Sequence, residues 1–62
     1  MCQSTAYLLK DGNEEKLLED VAYIKPEGDM VVLIGLLGDR REVKGTIREI
    51  DLMAHRVLIA TS

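Results

Sequence analysis

Cys2 and His55 are the two side chains of this sequence best suited to a soft or borderline metal ion, and each residue type occurs once in the 62 residues. Cys2 follows Met1 directly, and with a small residue in second place the initiator methionine is expected to be removed. That leaves an α-amine and a thiol on one residue, which together close a five-membered chelate ring. If the backbone amide nitrogens of Gln3 and Ser4 deprotonate on metal binding, one terminus offers thiolate sulfur and several nitrogens in a plane, as Ni(II) or Cu(II) favours. A dimer would instead bring two Cys2 termini together. His55 adds a neutral imidazole that suits the same metals. Each residue also has a plainer reading, Cys2 as a small buried hydrophobe at the start of a strand and His55 as a surface or hydrogen-bonded turn residue.

Other chemistry is poorly represented. The sequence has no Gly-rich phosphate loop, no Ser-His-Asp set and no Cys-x-x-Cys pair, and its lone histidine is the only ordinary base, so an enzyme is not expected. Glu14, Glu15, Glu19 and Asp20 cluster in sequence, which reads as a solvated acidic face. Arg40, Arg41, Lys44, Arg48 and Arg56 gather in the second half and raise an RNA-binding alternative, since small SH3-like and Sm-like barrels often bind RNA. Eleven acidic against eight basic residues, a formal charge of −3 and two aromatic residues, Tyr7 and Tyr23, weigh against it. A purely structural interaction module is the third class.

The elements that must hold these residues read as all-β. Cys2 to Lys10 is the first strand, with Ala6 and Leu8 on one face and Tyr7 and Leu9 on the other. Asp11-Gly12-Asn13 is a hairpin signal. Leu17 to Lys25 is the second strand, its alternation broken over Leu17 to Val21 as a bulge or bend would break it. A helical turn over Glu14 to Leu18 competes with that reading. Pro26-Glu27-Gly28-Asp29 is a turn, and Met30 to Leu37 a strand apolar on both faces. Gly38-Asp39-Arg40 closes the next hairpin.

Glu42 to Ile47 alternates cleanly, and a phase slip at Arg48-Glu49 lets Ile50 face inward. Gly45 stands mid-strand, where a bend or a close backbone approach is expected. Leu52-Met53-Ala54 reads as a tight turn, and Arg56 to Ala60 as the fifth strand. Five short strands in one domain over residues 1–62 suggest a small SH3-like barrel, with an OB-like barrel as the alternative. Its core is expected from Leu8, Val21, Val32, Ile34, Val43, Ile47, Ile50 and Val57.

A domain this small buries a modest core and usually gains support from disulfides, a metal or a partner subunit. One cysteine excludes an internal disulfide, which leaves metal or oligomer. A homodimer is expected, because the two-sided run from Met30 to Leu37 needs cover. There is no apolar block of membrane-spanning length and no signal-peptide pattern, so a cytoplasmic location is expected.

Taken together, Met1-Cys2, Leu18-Glu19-Asp20-Val21, Glu27-Gly28 with Val31 and Leu33, Leu36-Leu37-Gly38-Asp39, and Gly45-Thr46-Ile47 through Ile50-Asp51-Leu52 to His55 make the sequence resemble the CooT family. These are small nickel-binding accessory proteins associated with carbon monoxide dehydrogenase maturation. The resemblance covers nearly the whole chain, and most of its residues are structural. It implies a dimeric SH3-like barrel that binds one Ni(II) per dimer through its N-terminal cysteines, and Cys2 alone maps onto the family's ligand. It also implies a nickel enzyme such as carbon monoxide dehydrogenase as client, although members occur outside carbon monoxide metabolism. The sequence ends at Ser62 without an acidic or His-rich tail, so nickel storage is not expected. Met-Cys also opens the hydrogenase chaperone HypC, but that family carries a proline soon after its cysteine, and here the first proline is Pro26.

Overall fold

The computed structural model describes residues 3–61. It contains five strands: β1 (Ser4–Lys10), β2 (Asn13–Glu27), β3 (Met30–Gly35), β4 (Arg40–Asp51) and β5 (Arg56–Thr61). Each strand pairs antiparallel with the next, and β5 returns parallel to β1, closing the sheet in the order β1-β2-β3-β4-β5. An OB-like barrel is a Greek key, so this sequential order bears out the SH3-like expectation and not its alternative.

Two long strands close the barrel by bending. β2 pairs with β1 as far as Val21 and with β3 from Val21 onward, its ladders shifting register on either side of Asp20, whose φ is 53°. This is the expected break in Leu17 to Val21, read as a bulge. The competing helical turn does not form, since Glu14 pairs with Leu9 and Lys16 with Tyr7. β4 pairs with β3 through Lys44 and with β5 from Gly45. At Gly45 the Ala60 carbonyl occupies the space a Cβ would need, and the Gly45 N–H donates to the Asp29 carbonyl at 2.8 Å. The expected slip follows between Ile47 and Glu49.

Several boundaries differ from the sequence reading. Asp11 and Gly12, both at positive φ, complete the first hairpin in two residues, so β2 starts at Asn13 rather than Leu17. Pro26 and Glu27 remain paired with Val31 and Met30, which leaves Gly28-Asp29 as the turn. Leu36 and Leu37 leave the sheet: Gly35 N–H donates to the Asp39 carbonyl at 2.7 Å, and Leu36 N–H to the Asp20 carbonyl at 2.8 Å. The Asp51 carboxylate accepts from the Ala54 N–H at 2.9 Å, fixing the turn before β5.

The core is Ala6, Leu17, Val31, Leu33, Val57 and Ile59, with Leu8, Val21, Val43 and Ile47 among the residues packed against it. The expected phase of β3 is reversed. Val31 and Leu33 face inward, so Val32 and Ile34 belong to the outer face. Val32 is nevertheless buried, between its register partners Lys25 and Glu42, whose long stems can cover it while their charges stay in water. The outer face of β3 is thus largely covered within one chain, and the reason given above for a dimer does not hold at this strand. Ile50 pairs with Val57 on the inward side yet remains 54% exposed, because it stands at the barrel mouth.

Candidate metal centre

The start of β1 is tied to the turn before β5. Thr5 N–H donates to the His55 carbonyl at 2.9 Å, and His55 holds a φ of 56°, which lets the chain reverse there. His55 is half-buried. Cys2 lies outside the described residues, three positions before Thr5 and so within about 10 Å of chain from it. The structure brings the backbone of His55 against Thr5. Gln3 is half-buried and precedes the first paired residue, so engaging its amide nitrogen takes nothing from the β1–β2 ladder. Ser4 is already in that ladder, opposite Val21. Among the described residues no group of three or more His, Cys, Asp or Glu is placed to hold a metal.

Ser4 also borders an apolar groove of about 280 Å³. Val21, Tyr23, Ile24, Ile50 and Leu52 line it, and no charged residue does. Leu52 is 74% exposed and Tyr23 49%. Sequence reasoning placed these residues in a strand or a turn and missed the surface they form. The available signal was an apolar pair, Leu52-Met53, in a turn that should be polar.

The basic residues behind the RNA alternative are mostly engaged. Arg40 pairs with Glu42 at 2.7 Å, Lys44 with Asp29 at 3.8 Å and Arg56 with Glu14, while Arg41 donates to the Leu17 carbonyl at 3.0 Å. The Arg56 guanidinium lies over the Tyr7 ring, 4.8 Å from its centroid, so one of the two aromatic faces is already covered. On the acidic face Lys16 and Glu19 are 2.8 Å apart. Their hydrogen bond and opposite charges raise the Lys16 pKa and lower that of Glu19. Glu27 raises Lys25 in the same way. No helix of the described residues is long and apolar enough to cross a membrane.

Known proteins align with most of the chain. An uncharacterised protein of Methanocaldococcus jannaschii is 37% identical over 59 residues, covering 95% of this chain and 96% of its own. One from Archaeoglobus fulgidus is 43% identical over 42 residues, 68% of this chain and 93% of its own. Among solved structures, the crystal structure of a protein from Carboxydothermus hydrogenoformans assigned to CooT superposes with a TM-score of 0.88, at 28% identity over 98% of both chains. The model of one family, described as the CO dehydrogenase accessory protein CooT, matches residues 1–60, and the chain belongs to that family.

Proposed function

We propose that this protein is a nickel-binding accessory factor whose metal is held by Cys2 at the N-terminus. The observation that supports the reading is the Thr5–His55 hydrogen bond together with Ser4 at the edge of the uncharged groove, three and two residues along the chain from Cys2. A second copy seated on that surface would bring two N-termini into one neighbourhood. Each would contribute the thiolate and α-amine of Cys2, which together fill a planar S₂N₂ set of the kind Ni(II) favours, and the Gln3 amide and His55 are the alternative nitrogen donors. Such a site forms between copies, so it needs no ligand cluster within one barrel. Membership of a CO dehydrogenase accessory family supports carbon monoxide dehydrogenase as the enzyme served, with nickel as cargo rather than as a resident cofactor.

Titration of the untagged, Met-processed protein with Ni(II) and Zn(II) tests this. The expected result is one Ni(II) per two chains, d–d absorption of a planar site, and preference for Ni(II) over Zn(II). Cys2→Ser should abolish tight binding, and a retained Met1 should weaken it. Affinity should fall as pH drops below neutrality, because binding displaces protons from groups with reference pKa values of about 8.5 and 8. If Cys2→Ser binds nickel as tightly as the wild type while His55→Ala does not, the N-terminal site is wrong. Small-barrel RNA binding is disfavoured by the engaged arginines, and a salt-sensitive, sub-micromolar RNA complex lost in an Arg40→Ala, Arg41→Ala double variant would restore it.

A further inference from the structure

A second concave surface, sharing no residue with the uncharged groove, lies where β2 bends against the β3–β4 turn and measures about 390 Å³. Leu17 and Leu18 line it from β2, and Leu36 and Leu37 from the turn. Leu17 belongs to the core, but Leu36 is 56% exposed and Leu37 94%. A turn held by the Gly35–Asp39 and Leu36–Asp20 backbone bonds needs no leucine side chain to form, so these two present apolar area that the monomer does not use. They stand on a frame braced by those bonds, which lowers the ordering cost this chain pays when a partner meets them.

The rim of this surface distinguishes it from the groove beside Ser4. Asp20 and Asp39 border it, and neither makes an ion pair among the described residues. Asp39 folds back over Gly35, so that a Cβ on Gly35 would meet its carboxylate. Lys16 also lines the site, but its charge is matched by Glu19 at 2.8 Å. Arg41 approaches from β4 with its guanidinium turned to the Leu17 carbonyl. The lining therefore carries two aspartates without ion-pair partners around exposed leucines, and the Arg41 charge beside them is held at the Leu17 carbonyl.

We propose that this surface docks a segment of a partner protein in which apolar side chains alternate with lysine or arginine. The leucines supply buried area and the two aspartates select the sign of the flanking charge. A second copy of this chain is a poor occupant, since a two-fold contact here would face Asp20 and Asp39 with the same two aspartates of the other copy. The proposal requires no metal, so it stands or falls apart from the nickel site.

The test uses the full-length, metal-free protein and an acetylated heptapeptide of alternating lysine and leucine, with a glutamate-for-lysine peptide as control. Amide shifts induced by the lysine peptide should cluster at residues 16–20 and 36–39 and leave Ser4, Tyr23 and Leu52 unmoved. The control peptide should not bind. Asp20→Asn with Asp39→Asn should weaken binding about tenfold or more and flatten its salt dependence. Asparagine tolerates the positive φ of residue 20 as aspartate does, so the bend survives and a null result is not a folding defect. Leu37→Ser should weaken binding without changing the molecular mass in solution. Equal binding of both peptides, shifts scattered over the barrel, undiminished affinity in the double variant, or no binding at millimolar peptide would each overturn the proposal. A fall in oligomer mass with Leu37→Ser would overturn it too, by assigning the surface to a second copy.

Discussion

Leu33 and Leu37 stand four residues apart and do opposite things. Leu33, on the inward face of β3, is wholly buried with Val31, Ile59 and Ala6, whereas Leu37 is almost entirely in water in the next turn. Burying a leucine side chain is worth about 1.5–3 kcal/mol, so the first contributes to folding and the second does not. The same division separates Leu17 from Leu52. Hydrophobic residues make up 47% of the sequence, yet the tightly packed core is a small group, and much of the remaining apolar area lies on two surfaces. Hydrophobicity here is divided between a minimal core and exposed surface.

The largest expected effect tests that division directly. Leu33→Ala should lower unfolding free energy by about 3 kcal/mol, since lost transfer energy adds to a cavity the closed sheet cannot collapse around. Leu37→Ser should change it by less than about 0.5 kcal/mol. Urea unfolding with unchanged m-values checks both, and comparable losses in the two variants would break the comparison.

Two glycines sharpen it. A methyl on Gly45 meets the Ala60 backbone in the β4–β5 ladder, where neither partner can move without disturbing the corner of the barrel. Gly45→Ala should therefore cost about 1–3 kcal/mol. The nearest atoms a methyl on Gly35 meets are those of the Asp39 carboxylate, which can swing away. Gly35→Ala should cost under about 1 kcal/mol by thermal unfolding, while moving one aspartate off the rim of the acidic surface.

How far the sequence disclosed this molecule follows the same division. Alternation and turn residues located five strands, the bulge near Asp20, the corner at Gly45 and the slip after Ile47, because each is a local departure from a period of two. The phase of β3 was not legible. Met30 to Gly35 is apolar on both faces, so periodicity there holds no information about which side is in. The two surfaces were hidden for a related reason: Tyr23, Ile50 and Leu52 are distant in sequence and converge only when the barrel closes. The expectation that Cys2 is a metal ligand, drawn from its position after Met1, falls on a residue outside the described ones.

Next in size is the uncharged groove. Ile50→Ser with Leu52→Ser removes exposed apolar area from the barrel mouth, so the barrel itself should lose no more than about 1 kcal/mol. The proposed self-association should weaken much more, which sedimentation equilibrium over a concentration series measures. With it should go the two-chain nickel stoichiometry, while the lysine peptide continues to bind. A double variant that dimerises as the wild type does would place the second copy elsewhere.

The smallest effect belongs to the Lys16–Glu19 pair on the rim of the acidic surface. Lys16 holds the Glu19 pKa below its ordinary 4.5, first through their hydrogen bond and then through its charge. A depressed carboxyl pKa stabilises the fold above the unfolded value, and that contribution is lost as pH falls through the lower folded value. Lys16 is raised above 10.5 by the same two causes, so its share is present below that value and lost only as pH rises through the folded one. The pair is thus fully effective across the neutral range and fades at both extremes. Both side chains are exposed and strongly screened, so Glu19→Gln should differ from the wild type only slightly at low salt and indistinguishably near 1 M salt, where the Debye length is about 3 Å. Carboxyl NMR should show Glu19 titrating below an ordinary glutamate in the wild type and moving upward in Lys16→Met. An unchanged Glu19 titration in that variant would mean that the two charges are not coupled in solution, and Lys16 would then offset one of the rim's aspartates instead.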